Sequence, residues 1–79
     1  MSKKEKLLEK ANSSATNFMF KELVKLAEHH GFVEVRRRGS HIMMKHDVHD
    51  VLMNFQDRKG QAKPYQVKQL LKTIEDFNL

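Results

Sequence analysis

Cysteine and tryptophan are absent from this chain of 79 residues, and proline occurs once. Without cysteine, the chain can form neither disulfide bonds nor thiolate metal sites. Long apolar runs are also missing, since no stretch approaches the ~18 residues that a membrane-spanning helix needs. The opening "MSKKEK" lacks the apolar stretch of a secretory signal. The sequence therefore predicts a cytoplasmic protein that has no membrane partner.

The short length sets a second bound. A chain of 79 residues supports one modest core at most, because larger cores need longer chains. We therefore expect any active site to be a surface groove and not an enclosed cavity. Hydrophobic residues make up 39% of the chain and charged residues 32%, a balance typical of a folded protein and not of a disordered one.

Positive charge is in excess. Fifteen Lys and Arg residues against ten Asp and Glu give a net charge of +5, which favours a polyanionic partner, nucleic acid before a membrane surface. The excess is concentrated within residues 36–45, where no acidic residue occurs and the cations are Arg36, Arg37, Arg38 and Lys45.

The first 17 residues are predicted to form an N-terminal helix and a linker ahead of a main domain at residues 18–79. Ser2 and Glu5 have the spacing of a capping box. A short helix is therefore expected over residues 3–11, with an apolar stripe of Leu7, Leu8 and Ala11. The small polar residues of "NSSATN" then indicate the linker.

Hydrophobic spacing in the main domain predicts the element order α-β-β-β-α. The first helix of this domain is expected to end just before Gly31, a residue suited to the left-handed turn past a helix end. Its apolar stripe consists of Phe20, Leu23, Val24 and Ala27. A hairpin turning at residues 39–40 and a third strand at 51–55 follow, and residues 56–63 are expected to be a loop. Pro64 begins the last helix, whose stripe is Val67, Leu70, Leu71, Ile74 and Phe77. Two helices on one face of a three-stranded antiparallel sheet would bury these stripes, so an α+β fold is predicted.

The hairpin is the most informative segment. Glycine at the first position of the two-residue loop suits a type II′ turn, which would place Arg38 opposite His41. Alternation along the strands then predicts two faces. The core face would carry Val33, Val35, Ile42 and Met44. The polar face would carry Glu34, Arg36, Arg38, His41 and Lys45.

His41 is the candidate catalytic residue. Neighbouring cations can bind a phosphodiester and stabilise the negative charge of its transition state, and imidazole titrates near neutral pH, as general acid–base catalysis requires. RNA supplies its own nucleophile, the 2′-hydroxyl, whereas DNA hydrolysis usually requires metal ions. The predicted RNA-binding residues are Arg36, Arg38, Gly39, Ser40, Lys45, Lys59 and Lys63. The alternative is a solvated histidine beside a tight turn.

Four further features admit a functional or a structural role. The segment "HDVHD" offers the metal-capable side chains His46, Asp47, His49 and Asp50, but it has no recognised metal-site spacing and is more typical of a strand connection. Lys59 and Lys63 are either phosphate contacts or solvated charges. Tyr65 could stack on a nucleobase or pack at the helix entry, while His29 and His30 suit a helix C-terminal cap.

The segments "FKELVKLAEHHGFVEVRRRGSHIMMKH" and "QAKPYQVKQLLKTIE" together resemble the HicA toxin family, also called YcfA-like proteins. The resemblance covers about residues 20 to 77. It depends on three motifs that fall in order at suitable distances, Gly31-Phe32, Gly39-Ser40-His41 and Lys63-Pro64.

The resemblance implies a fold like the double-stranded-RNA-binding domain and a ribosome-independent mRNA interferase activity. Because the RNA supplies the nucleophile, we expect this activity to need no cofactor. It also implies that His41 is the catalytic histidine of a Gly-Ser-His motif, and that a HicB-like antitoxin covers this surface. We expect the free protein to be a monomer or a weak dimer. Two alternatives remain open at this stage, a non-catalytic RNA-binding module of the same fold and a domain that holds a protein partner without RNA activity.

Overall fold

The computed structural model describes residues 3–79 and has an α+β fold, as predicted. Three α-helices and four antiparallel strands follow one another as α1 (Lys3–Ser13), α2 (Phe20–His29), β1 (Phe32–Arg38), β2 (His41–His46), β3 (Leu52–Arg58), β4 (Gln61–Ala62) and α3 (Pro64–Asp76). A single 3₁₀ turn (Ala15–Asn17) connects α1 to α2. The strands lie in the sheet in the order β1-β2-β3-β4, which confirms the α-β-β-β-α order and adds a fourth short strand.

That fourth strand corrects the prediction of a loop at residues 56–63. β3 continues to Arg58, and β4 pairs back onto it through Asp57↔Ala62 and Arg58↔Gln61. The two-residue turn between them needs a positive φ at its first position, and Lys59 adopts 53° there. Because lysine is an unusual residue for this conformation, the sequence carried only a weak turn signal.

The core lies between the sheet and the helices. Ile42, Met44 and Phe55 of the sheet pack in one buried cluster with residues of all three helices, namely Ala11, Phe20, Leu23, Leu26, Ala27, Val67, Leu70 and Ile74. Each of these side chains is removed from water, which is the main favourable contribution to folding. Phe77 departs from its predicted stripe, because it follows the end of α3 and is 43% exposed.

The N-terminal helix packs on this core. Ala11 is 1% exposed, and the ammonium group of Lys10 binds the carboxylate of Glu22 on α2 at 2.8 Å. α1 extends two residues beyond its predicted end, to Ser13, while the capping residue predicted at Ser2 lies outside the described residues. No helix within residues 3–79 is long and apolar enough to cross a membrane.

The β1–β2 hairpin has the predicted register next to its turn. Arg38 lies opposite His41, and Arg37 lies opposite Ile42. Gly39 has a φ of 59°, as the first position of a type II′ turn requires. Ile42 and Met44 are buried, as predicted, so the opposite face of β2 points away from the helices.

Farther from the turn, the predicted faces of β1 are wrong. A bulge between Glu34 and Arg36 shifts the register, so that Glu34 faces Met44 and Val33 faces Lys45. An extra residue in one strand reverses the side-chain alternation beyond it. Val33 and Val35 are consequently each 51% exposed instead of buried, and Glu34 binds Arg37 at 3.0 Å.

Candidate functional site

His41 begins β2 on the face of the sheet that the helices leave uncovered, which we call the outer face. Residues of β2 alternate between the two faces, and the buried Ile42 follows His41 directly. The side chain of His41 is exposed, with Arg38 opposite it on β1 and Gln56 opposite it on β3. The predicted placement among cations, away from the core, is therefore confirmed.

A groove of about 450 Å³ lies on the outer face beside His41. Its lining consists of Arg36, Arg38, His41, Met43 and Asn54, and we call it the cationic groove. The two guanidinium groups come from β1, and His41 comes from β2, so the hairpin register alone brings them together. Guanidinium groups bind phosphate oxygens through two parallel N–H donors, which makes this groove suited to a phosphodiester.

Arg37, between the two groove arginines, points the other way. It faces the buried Ile42 across the hairpin, and its guanidinium donates to the Glu34 carboxylate at 3.0 Å. Cross-strand partners project to the same side of a sheet. The arginine run therefore divides between the two faces, and Arg37 lies on the helical side.

The remaining predicted site residues on the hairpin lie near the groove without lining it. Lys45 shares the outer face of β2 but forms an ion pair with Asp50 at 3.6 Å. Gly39 and Ser40 form the turn, and the carbonyl of Ser40 accepts the backbone N–H of Asp57 at 2.7 Å. This bond ties the hairpin turn to β3 and fixes the position from which His41 projects.

Lys59 and Lys63 lie outside the cationic groove, and both occupy positions that suit lysine poorly. Lys59 has a φ of 53°, a conformation that usually favours Gly, Asn or Asp. Lys63 is the N-cap of α3 and forms no side-chain capping bond, although Ser, Thr, Asp or Asn would do so. Its ammonium group instead lies 5.8 Å from the ring centroid of Tyr65.

A second groove, of about 640 Å³, opens on the other side of His41, between β3 and α3. Its lining includes His41, the half-exposed amide of Gln56, and the exposed side chains of Asn54, Tyr65 and Gln69. We call it the amide groove. Apart from His41, sequence reasoning named only Tyr65 among these residues, because isolated amide residues carry no recognisable spacing. Only the packing of α3 beside β3 brings them together.

The "HDVHD" segment has a structural role. The Nε2–H of His46 donates to the carbonyl of His30 at 2.7 Å, and its Nδ1 accepts the backbone N–H groups of Val48 and His49 at 3.1 Å. Both ring nitrogens are thus engaged by the backbone, which leaves neither of them for a metal. Residues 3–79 contain no group of three or more His, Asp or Glu side chains that could hold a metal ion.

Two titratable groups among the described residues have shifted pKa values, Glu22 on α2 and His30 just past the end of that helix, and both lie away from His41. Burial, with the positive charges of Lys4 and His29, lowers the pKa of His30, against the opposing bond that its ring N–H donates to the carbonyl of Leu26 at 2.9 Å. Partial burial of Glu22 is outweighed by the hydrogen bonds from Lys10 and the Met19 backbone, which hold the pKa of Glu22 below its usual value. Both groups belong to the scaffold.

Comparison with known families identifies the chain. The family model described as the HicA toxin of bacterial toxin–antitoxin systems matches residues 20–75, which include the hairpin, the cationic groove and most of α3. No curated protein and no solved structure matches the chain significantly. The matched range covers well over half of the 79 residues and excludes α1. This chain therefore belongs to the HicA toxin family of bacterial toxin–antitoxin systems.

Proposed function

We propose that this chain is the toxin of a type II toxin–antitoxin pair and that it cleaves messenger RNA without a metal ion. His41 acts as the general base and the RNA 2′-hydroxyl as the nucleophile. The observation that carries the proposal is an exposed imidazole and two guanidinium groups lining a single groove on the uncovered face of the sheet. Such a groove provides a proton acceptor and a phosphate clamp within one nucleotide's reach.

The reaction begins when the ring of His41 accepts the proton of the 2′-hydroxyl. The 2′-oxygen then attacks the adjacent phosphorus, and the bond from phosphorus to the 5′-oxygen of the next nucleotide breaks. The departing 5′-oxygen takes a proton, from the same imidazolium or from water. The products are a 2′,3′-cyclic phosphate and a 5′-hydroxyl, so atoms and charge balance without an oxidant, a reductant or a cofactor.

Arg36 and Arg38 bind the non-bridging oxygens of the scissile phosphate. Negative charge on these oxygens increases in the transition state, and two preorganised guanidinium groups stabilise it more strongly there than in the ground state. Gly39 and Ser40 form the turn that positions His41. Lys45, Lys59 and Lys63 contact phosphates farther along the RNA strand. Each ammonium group supplies positive charge there but does not fix the orientation of the phosphate.

The placement of Lys59 and Lys63 supports a functional role for their charges. Lysine at a positive φ, and lysine at an N-cap without a capping bond, both forgo local stability. Residues that weaken the fold locally are characteristic of binding sites, where function and stability compete. Their positions in adjacent connections, before β4 and before α3, give an RNA strand two contacts outside the cationic groove.

The partner is a HicB-like antitoxin that covers the outer face. That face exposes apolar side chains next to the cationic groove, since Val33 is 51% exposed and Leu52 is 59% exposed on either side of Lys45. A protein that buries these side chains would also block His41. The fold is like the double-stranded-RNA-binding domain, and the free protein is a cytoplasmic monomer or weak dimer.

The test compares RNA cleavage by wild type, His41→Ala and a matched control, His29→Ala. His29 lies on α2, on the helical side of the sheet, and its Nδ1 has no hydrogen-bond partner among the described residues. We expect His41→Ala to lower the cleavage rate by at least about 100-fold and His29→Ala to leave it unchanged. Wild-type products should carry 2′,3′-cyclic phosphate ends, and a chelator should not reduce the rate.

The substrate provides a second control. Replacing the single nucleotide at the cleavage position with its 2′-deoxy counterpart should stop cleavage there while leaving binding intact. Equal cleavage by wild type and His41→Ala would remove His41 from the mechanism. Binding of RNA by wild type without any cleavage would instead favour a non-catalytic RNA-binding module.

A further inference from the structure

The amide groove exists because β3, among residues 3–79, has no second strand neighbour along most of its length. β4 pairs only with Asp57 and Arg58, so residues 52–56 have β2 on one side and α3 on the other. The side chain of Gln66, near the start of α3, binds this free edge through the backbone of Asn54 and Gln56. The rest of the space between β3 and α3 stays open and forms the groove.

The polar side chains that line the groove beside His41 are uncharged. Asn54, Gln56 and Gln69 each present a side-chain amide, and none of these amides has a hydrogen-bond partner among residues 3–79. An amide offers both donors and acceptors in one plane, which matches the edge of a nucleobase and not the uniform acceptors of a phosphate. Lys72 and Asp76 also line the groove. The Lys72 ammonium group forms an ion pair with the Asp76 carboxylate at 3.7 Å, so the two charges cancel.

An aromatic ring is available at the same place. Tyr65 is 55% exposed and lines the groove, and Lys63 holds its ammonium group 5.8 Å from the centre of that ring. An exposed tyrosine provides a face on which a base can stack. The lysine beside it supplies a positive charge for the backbone phosphate of the stacked nucleotide.

His41 connects the two grooves, because its side chain lines both of them. On one side of it lie two guanidinium groups, and on the other lie the ring of Tyr65 and the amides of Gln56 and Gln69. The amide of Asn54 lines both grooves. From this division of chemistry we infer that the amide groove is a binding site for one unpaired nucleobase adjacent to the scissile phosphate. The position of the base next to the scissile phosphate rests on the proposed function. Binding of the base itself does not require cleavage.

The inference restricts the substrate to single-stranded or looped RNA. A base can enter a groove at the side of the domain only after it has left its stack, and paired bases in an A-form helix do not present their edges in this way. A duplex could still contact the cationic groove through its phosphates. It would then bind in a salt-dependent manner without placing a base beside Tyr65.

The test measures binding of short 2′-O-methyl RNA oligonucleotides, which cannot be cleaved by attack of the 2′-oxygen, through fluorescence anisotropy. One ligand carries all its bases, and its partner has a single abasic position. We expect Tyr65→Ala to weaken binding of the complete ligand roughly 5- to 100-fold, the range expected for loss of one stacked base. Tyr65→Phe should retain the affinity, because the ring face is preserved.

The abasic ligand separates stacking from a general loss of structure. When the abasic position is the nucleotide that enters the groove, wild type and Tyr65→Ala should bind this ligand equally. Gln69→Ala should change the preference among the four bases at the same position. The matched control is Lys68→Ala. Lys68 precedes Gln69 on α3 and does not line the groove, so its loss should reduce the affinity equally whichever of the four bases is present.

Failure of the inference is distinguishable from failure of the proposed function. If Tyr65→Ala binds all ligands as wild type does while His41→Ala still abolishes cleavage, the amide groove does not bind a base and the inference is overturned. If wild type shows base-dependent binding that Tyr65→Ala removes but never cleaves RNA, the proposed function fails and the base site remains.

Discussion

The side-chain oxygen of Gln66 accepts the backbone N–H of Gln56 at 2.9 Å, so a helix residue takes the place of a neighbouring strand. The same amide donates its N–H to the carbonyl of Asn54 at 3.1 Å. Gln66 is 7% exposed, and both of its hydrogen-bonding functions are used in holding α3 to β3. Because Gln56 faces His41 across the sheet, this contact fixes the strand that lies beside His41.

Replacing Gln66 with leucine should destabilise the protein. The substitution keeps a similar volume but leaves the N–H of Gln56 and the carbonyl of Asn54 without partners in a partly buried place. Such losses typically cost about 1–3 kcal/mol. The free energy of unfolding, measured by urea denaturation, is the test.

The matched control is Gln69→Leu, the same substitution one turn farther along α3. The Gln69 side chain is exposed and forms no hydrogen bond within residues 3–79. The cost should stay within about 0.5 kcal/mol, as for ordinary surface changes. Equal losses for the two variants would mean that the amide of Gln66 contributes nothing specific.

Arg36 and Arg37 are adjacent in sequence and opposite in role. Arg36 lines the cationic groove, whereas Arg37 lies on the helical side and binds Glu34. We expect Arg36→Ala to lower the cleavage rate by roughly 10- to 1000-fold, as the loss of a charged transition-state contact does. Arg37→Ala removes the same charge from the same strand and should change the rate less than about threefold.

The rate should be measured at saturating RNA and again at low RNA concentration. A contact made mainly in the transition state lowers kcat and kcat/KM together, whereas general attraction for RNA changes KM alone. Equal effects of the two variants on kcat would show that only net charge matters, and the assignment of Arg36 to the scissile phosphate would then fail.

Much of this fold could be predicted from local sequence signals. Gly31 after an amphipathic helix, Gly39 in a two-residue turn and Pro64 at a helix start each act through their own backbone preferences, which a single residue expresses. The exposure of His41 followed from the turn and the alternation of the strand. The predicted pairing of Arg38 with His41 was therefore correct.

The errors arose where the decisive interaction was not local. A bulge at Val35 shifts the register of β1 and places Glu34 on the helical side, where it pairs with the partly exposed Arg37. The apolar pattern of β1 does not reveal the bulge, because Val33 and Val35 suit an exposed strand edge as well as a core. Likewise, the amide groove depends on α3 lying beside β3, which no spacing of Asn and Gln residues encodes.

Gly31 is expected to be the glycine least tolerant of substitution. Its φ is 94°, and a Cβ there would lie 2.5 Å from the Nε2 of His46. That nitrogen donates to the carbonyl of His30, so Gly31→Ala must displace the buried ring that joins β2 to α2. Backbone strain and the lost hydrogen bond together should cost about 2–5 kcal/mol.

Gly39→Ala is the matched control for this prediction. Gly39 also has a positive φ, of 59°, but a Cβ there would meet no atom within 4 Å. The cost should therefore be limited to the backbone term, about 1–2 kcal/mol. Thermal or urea unfolding of the two variants measures the difference, and a Gly31→Ala protein as stable as Gly39→Ala would contradict the contact with His46.

His30 makes the stability of the protein depend on pH. Burial lowers the pKa of His30 from its ordinary value of 6.5, so the unfolded chain binds a proton there more readily than the folded chain does. Protonation consequently favours unfolding. The stabilising contribution of neutral His30 is complete above about pH 6.5 and is lost as the pH falls below that value toward the pKa of the folded state.

The variant that tests this is His30→Gln, whose amide can still donate to the carbonyl of Leu26 but does not titrate near neutral pH. The free energy of unfolding should fall more steeply for wild type than for His30→Gln between about pH 7.5 and about pH 5.5. Every other titratable group is common to the two proteins, so the difference between the curves isolates His30. Because burial is the leading cause, added salt should reduce that difference only slightly. Parallel curves would mean that His30 binds its proton equally well in the folded and unfolded chain.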